Sequence, residues 1–293
     1  MDRRQVVIGA GAVAAVATAL PAWAAFASDR ISVETRGEGP DVILIHGLSS
    51  RREVWQGTVD AVPGYRYHLV QIAGMGGAPA AGAADGPIVA PAAEEIARYI
   101  AEAGLTKPAI VGHSMGGEIA LMIAARHPEW AGKVMVVDML PFMGVMFGQP
   151  PMTSEKARPM ADQIRSLMIG APRLMYEQQL EETVGAMVAN EALRPSAIAD
   201  AKRSDRTVSA NAFYDLVVTD LRPELANIAA PVTVLYVHQP DGPLTEAQMD
   251  AVYRFSYATL KGTRLVKIPG SRHFIMWDQP ERFQAEMKAF LAA

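Results

Sequence analysis

Short apolar runs recur along the chain, each closed by glycine or a polar turn. They are Asp41–Ile45 (DVILI), Tyr67–Ile72, Ala109–Val111, Val134–Val137, Val232–Val237 and Arg264–Ile268, with a weaker alternating stretch at Ile31–Thr35. Runs this short and continuous are what strands buried on both faces of a parallel sheet look like. Between them lie stretches with helical spacing at Ala92–Ala103, Glu118–Arg126, Glu246–Leu260 and Pro280–Leu291. Strands that alternate with helices need crossover connections, which are right-handed, so the pattern predicts an α/β fold with a mostly parallel, doubly wound sheet.

Two segments break this rhythm. From Met139 to Asn227 helical spacing dominates (MADQIRSLMIG, RLMYEQQLEETVGAMVANEAL, NAFYDLVVTDL), and the strand pattern resumes at IAAPVTVLYV. This predicts a helical cap over residues 139–227, inserted between core segments 28–138 and 228–293. At the N-terminus, Arg3 and Arg4 lead into the apolar, Ala- and Gly-rich VVIGAGAVAAVATALPAWAAFA. A basic start, an apolar stretch and a small-residue site are the layout of an export signal. The arginine pair resembles a twin-arginine signal, with Asp2 where Ser or Thr is usual. Residues 1–27 are therefore expected to be a signal cleaved after Ala27, with Ala24 as the second site, leaving a periplasmic chain free of the membrane. The alternative is an uncleaved membrane anchor, because Val6–Ala27 meets the rule of about 20 apolar residues for a bilayer span.

Composition narrows the chemistry. A net charge of -4, with no Lys/Arg stripe among aromatics, argues against nucleic acid as a partner. The chain has no cysteine, which excludes disulfides, a thiolate nucleophile and a thiolate metal site. Gly9 and Gly11 lack the preceding strand that a dinucleotide loop requires, so no cofactor is expected.

Against this background GHSMGG, residues 112–117, stands out. It reads G-x-S-x-G at a strand-to-helix turn, the context of a nucleophile elbow. The turn is tight enough that Gly112 and Gly116 leave room a side chain would fill, and it presents Ser114 at the sheet edge before a helix N-terminus. Of the six histidines, His113, His68 and His127 sit where structural roles are expected, His46 lies in the first-strand turn and His238 near Asp241. His273, in the loop after the last strand run, is the candidate base, giving the chain order Ser, acid, His. Two acids follow strand ends: Asp138 in VMVVDMLPF and Asp241 in VLYVHQPDGP. Placement favours Asp138, and Asp241 stays open as the alternative. The oxyanion hole would use the amides of Met115 and Leu48, the latter in the HGLSS loop where Gly47 permits close approach.

IHGLSSRREVW, GMGG, GHSMGGEIALMIAARHPE, DLRPELANIAAPVTVLY and SRHFIMWDQPERF occur in the order of the α/β-hydrolase superfamily, and the chain resembles its small esterase and thioesterase-like members. In some of these a VVD-x-x-P stretch supplies the triad acid, which VVDMLP around Asp138 matches. The resemblance implies no cofactor, a serine nucleophile and a small-molecule ester substrate. Where the family commonly has D-x-x-G-x-G-x-S, this chain has QIAGMGGAP, with Gln71, Met75 and Ala78 at the acid, His and Ser positions. That loop borders the substrate entrance in the family, which puts the pocket shape in question.

The cap holds Met139, Met143, Met146, Met152, Met160, Met168, Met175 and Met187, half of the 16 methionines. Flexible thioethers suit either irregular packing or an adaptable apolar site, and Met143 and Met146 are candidate substrate contacts. The function expected is acyl-enzyme hydrolysis of a carboxylic ester with an apolar acyl or alcohol group. Acyltransferase, perhydrolase or carbon-carbon bond hydrolase activity would use the same triad, and a non-catalytic binding protein is the distant alternative.

Overall fold

A computed structural model describes residues 26–148 and 151–293. Arg3, Arg4 and most of the expected export signal or anchor, residues 1–25, lie outside the described residues. Among those described, no helix is long and apolar enough to cross a membrane.

The apolar runs become β1 (Ile31–Arg36), β2 (Asp41–Ile45), β3 (Arg66–Ile72), β4 (Ala109–His113), β5 (Lys133–Val137), β6 (Val232–Tyr236) and β7 (Arg264–Lys267). They form one sheet in the order β1-β3-β2-β4-β5-β6-β7. β1 pairs antiparallel with β3, and the other neighbours are parallel. The period of two is visible in the packing. Ile43, Ile45, Ile110, Val134 and Val136 face one core cluster, while Val42, Leu44, Val111, Met135 and Val137 face the other. Strand order reverses between β2 and β4, and in such sheets the crevice beyond the strand ends at that point is where ligands bind.

Ten α-helices follow among the described residues: α1 (Gln56–Ala61), α2 (Val89–Glu102), α3 (Met115–Arg126), α4 (Ser154–Gly170), α5 (Arg173–Ala186), α6 (Arg194–Arg203), α7 (Arg206–Val218), α8 (Glu246–Ser256), α9 (Ile275–Asp278) and α10 (Pro280–Ala292). α3 is buried from Met115 to Ala125, sandwiched against the sheet. α2 begins three residues before the expected Ala92, because the Asp215 carboxylate accepts from the Ile88 and Val89 amides at 2.6 and 3.0 Å. Those donors open a helix and have no partner within it, so a carboxylate from α7 caps them.

Between β5 and β6, α4 packs on α7 and α5 on α6. The long helical run from Arg173 to Leu193 breaks after Ala186, since Asp278 accepts from the amides of Ala189 and Asn190, both at 2.9 Å. The first pair has a small core of its own, Phe142, Ala157, Ala161 and Val217. α5 buries none of its residues. After α7 the chain returns through Leu221 and Leu225, which are buried in the main core cluster.

Candidate active site

β4 ends at His113, and the chain turns at Ser114 with φ +52° and ψ -124° before α3 starts. A positive φ is costly for any residue with a Cβ and persists only where the surroundings enforce it. Here they do. The Ser114 amide donates to the Val137 carbonyl at 2.9 Å, and the Ser114 carbonyl accepts from Gly117 at 2.7 Å. A Cβ at Gly112 would strike the Gly116 carbonyl, and one at Gly116 would strike the Ile45 and His46 carbonyls. Both glycines are therefore required by contact between backbones. Gly47 is a looser case, since its Cβ would stand 3.0 Å from His113 Nδ1 and from Ser114 Cβ.

The strand beside it ends in a second strained residue. Asp138 follows β5 with φ +55°, its amide bonded to the Leu235 carbonyl at 2.8 Å. One carboxylate oxygen accepts from His273 Nδ1 at 2.7 Å, and the other from the Val237 amide at 3.2 Å and the Tyr253 hydroxyl at 3.0 Å. A carboxylate can only accept here, so Nδ1 carries the imidazole proton and Nε2 keeps its lone pair. His273 and Ser114 border the same cavity. Asp241 is not brought to the imidazole: its side chain is 62 % exposed and pairs with the Arg272 guanidinium at 2.6 Å.

The other histidines have partners that explain them. His113, buried, donates from Nε2 to the His273 carbonyl at 3.0 Å and stacks near both the His273 and Phe274 rings, at 4.7 and 4.8 Å between centroids. It thus supports the loop that carries His273, and burial holds its pKa well below the usual range. His46 accepts from the Ile72 amide on Nε2 at 3.1 Å, which leaves Nδ1 to donate to the Gly47 carbonyl at 2.7 Å. Burial lowers its pKa to about 4, so the ring stays neutral and fixes the Gly47–Leu48 turn. His68 is held by Asp41 and Tyr99, His127 by Glu94 and His238 by the Leu244 carbonyl.

Leu48 borders the cavity, and Met115 is the first residue of α3, so its amide has no acceptor within the helix. Ser49, at φ +53°, donates to the Ser209 hydroxyl of α7 at 2.9 Å, joining this loop to that helix.

The GMGG loop differs from what the family resemblance implies. None of residues 71–78 lines the cavity. The α6–α7 junction covers the loop instead: the Asp205 amide donates to the Gly74 carbonyl at 2.6 Å and the Gly76 amide to Ser204 at 2.8 Å. Gln71 holds it from below, accepting from the Arg52 amide at 3.1 Å while its NH₂ group donates to the Ile72 and Met75 carbonyls. An ionised acid at this position could not make the last two bonds.

The cavity measures about 780 Å³, within the ~300–1,000 Å³ usual for ligand sites. Of the eight methionines between 139 and 187, Met139, Met143, Met146, Met168, Met175 and Met187 line it, joined by Met249 of α8, while Met152 and Met160 do not. Among the described residues no cluster of three His, Asp or Glu side chains could hold a metal ion. Two contributors were invisible in the sequence. Tyr253 orients Asp138 from α8, and Asp278 ties the His273 loop to the loop after α5 by accepting from Arg272, Ala189 and Asn190.

Comparison with known proteins bears on the family and the fold. The model of the Alpha/beta hydrolase family matches residues 42–286. The chain is 27 % identical over 221 residues to the pimeloyl-(acyl-carrier protein) methyl ester esterase of Vibrio atlanticus, covering 71 % of this chain and 80 % of that protein. It is 25 % identical over 262 residues to the enzyme of the same name from Nitrosomonas europaea, covering 86 % and 96 %. Among solved structures, an esterase from Exiguobacterium antarcticum superposes with a TM-score of 0.73 at 22 % identity, covering 90 % of this chain and 96 % of that one.

Proposed function

The chain belongs to the alpha/beta hydrolase family, and from that premise we propose that it is a serine hydrolase that cleaves carboxylic esters through an acyl-enzyme on Ser114. The observation that carries this reading is the 2.7 Å bond from His273 Nδ1 to Asp138, beside a strained serine that borders the same cavity. Because Asp138 fixes the proton on Nδ1, Nε2 is free to take the Ser114 proton as the hydroxyl attacks the ester carbonyl. The oxyanion then rests on the amides of Leu48 and Met115, each such donor being worth roughly 3 to 4 kcal/mol in the transition state. His273 returns the proton to the departing alcohol, and water repeats the sequence on the acyl-enzyme.

The names of the relatives favour ester hydrolysis, and the methionine-rich lining favours an apolar acyl or alcohol group. The test is turnover of a chromogenic ester by the wild type and by Ser114→Ala. The reading expects release of the alcohol and the free acid by the wild type and loss of that turnover in the variant. Turnover that survives Ser114→Ala, or appears only with an added alcohol or peroxide acceptor, contradicts it.

We read residues 139–227 as a single cap on a core of 28–138 and 228–293, and residues 1–27 as covering a signal for export to the periplasm, on the Arg3–Arg4 layout. Contacts at the end of that segment favour the Ala24 site over Ala27. The Phe26 ring packs on Tyr99 and lies under the Arg98 guanidinium at 4.3 Å, which also donates to the Ala27 carbonyl at 2.8 Å. Cleavage after Ala27 would discard these contacts. N-terminal sequencing of periplasmic protein should begin at Ala25; a start at Ser28, or an uncleaved chain in the membrane fraction, refutes that choice.

A further inference from the structure

Which substrates the cavity admits depends on the charges its lining lacks, an inference that rests on the serine-hydrolase reading above. The cavity extends from Ser114 to the turn between α4 and α5, where Leu167 and Met175 both line it and stand 60 % and 62 % exposed. Leu174 and Ile169, 68 % and 44 % exposed, carry the apolar surface outward. An apolar path therefore joins the nucleophile to solvent, and an exposed apolar patch at the mouth of a cavity marks a site that receives apolar material.

No lysine or arginine lines this path, and its one carboxylate, Asp138, is engaged by His273. The guanidiniums of the surrounding helices are engaged as well. Arg206 donates to the Met168 and Ala171 carbonyls at the end of α4 while lying 4.4 Å over the Tyr176 ring. Arg165 pairs with Asp162, and Arg173 with Glu177. A charged group held inside the cavity would lose most of its water and find no cation, only neutral donors such as Gln179, Thr183 and Gln239, whereas a hydrocarbon would lose only unfavourable hydration.

We propose that the cavity takes esters bearing an uncharged hydrocarbon chain that runs from Ser114 toward the α4–α5 turn, and that it rejects a chain whose carboxylate would lie inside the cavity, short of that exposed turn. Thioether side chains with three rotatable bonds adapt to chains of different length but offer a carboxylate nothing. Longer neutral chains then bury more hydrocarbon and react better, and selectivity against an internal charge is sharp.

The test uses two series of chromogenic esters on the full-length protein, one lengthening the acyl chain and the other the alcohol chain, each with partners that end in a carboxylate. In one series kcat/KM rises with length, and a terminal carboxylate on a chain too short to reach the exposed turn lowers it by roughly 100-fold or more; the series that responds identifies the side of the ester that occupies the cavity. Met175→Lys, at the exposed mouth, should narrow the neutral-to-carboxylate ratio by about fivefold, as a surface ion pair allows. Equal kcat/KM for neutral and carboxylate chains, or no rise with length in either series, overturns the inference if the same preparation labels at Ser114 with a fluorophosphonate. Failure of that labelling overturns the serine-hydrolase reading itself, and the inference with it.

Discussion

Ser114 at the start of α3 and Met175 on α5 line one cavity, yet they are held in opposite ways. Around Ser114 the backbone is fixed from every side, with glycines against carbonyls at Gly112 and Gly116 and a positive φ at both Ser114 and Asp138. Around Met175 nothing is buried along α5, and the helices between β5 and β6 are fastened instead by polar side chains: Asp215 on α2, Ser209 on Ser49, Asp278 on the loop after α5. Reacting groups need placement to a fraction of an ångström. A binding wall needs only shape and polarity, so its residues are free to vary and to move.

The largest effect is expected at Ser114. Ser114→Ala should lower kcat by roughly 10⁴- to 10⁶-fold, as loss of a nucleophile does elsewhere, with an unchanged fold by circular dichroism. Asp138→Asn should cost about 10⁴-fold, because the amide can bond an Nδ1 lone pair and hold the wrong tautomer. Asp241→Asn, which loses only an exposed contact with Arg272, should stay within about threefold. Similar losses from both aspartates would mean that the loop after β6 is as tightly coupled to the imidazole as the loop after β5.

Stability should divide along the same line. Gly116→Ala puts a methyl group against the Ile45 carbonyl and should destabilise by about 3 kcal/mol or more in denaturant unfolding. The histidines under the site predict a pH effect of similar size. His46 is buried neutral with its pKa lowered from 6.5 to about 4. The unfolded chain takes up a proton near pH 6.5 that the folded one refuses, so stability is full above 6.5 and falls between 6.5 and about 4, by up to about 3 kcal/mol. His68 and His113 are shifted the same way by burial and add to the loss. Denaturant midpoints at pH 7.5 and 5 check this; equal midpoints would contradict it. Smallest of all, Leu174→Gln on α5 should change stability by no more than about 0.5 kcal/mol.

The same division explains what the sequence made legible. Strands buried on both faces leave continuous apolar runs, and β2 appears with both its expected ends. The G-x-S-x-G turn is legible because backbone contact dictates both glycines. Short α1, with only Thr58 buried, offers no periodicity to read. The single helical run over 173–193 hid a break imposed by Asp278, nearly ninety positions away. Tyr253 was equally hidden, since its hydroxyl reaches Asp138 across 115 positions of chain and nothing local marks it. The cap methionines left lining and packing undecided because both want the same side chain; position separates the six that line the cavity from Met152 and Met160.

The central claim is that Ser114 is the nucleophile and that His273, held by Asp138, activates it. Peptide mass spectrometry after brief exposure to a fluorophosphonate tests it most directly, comparing the wild type with His273→Ala. The account predicts one adduct, on Ser114, formed rapidly by the wild type and slowed at least about 10³-fold in the variant. An adduct on another residue, or equal labelling rates in the two proteins, would contradict it.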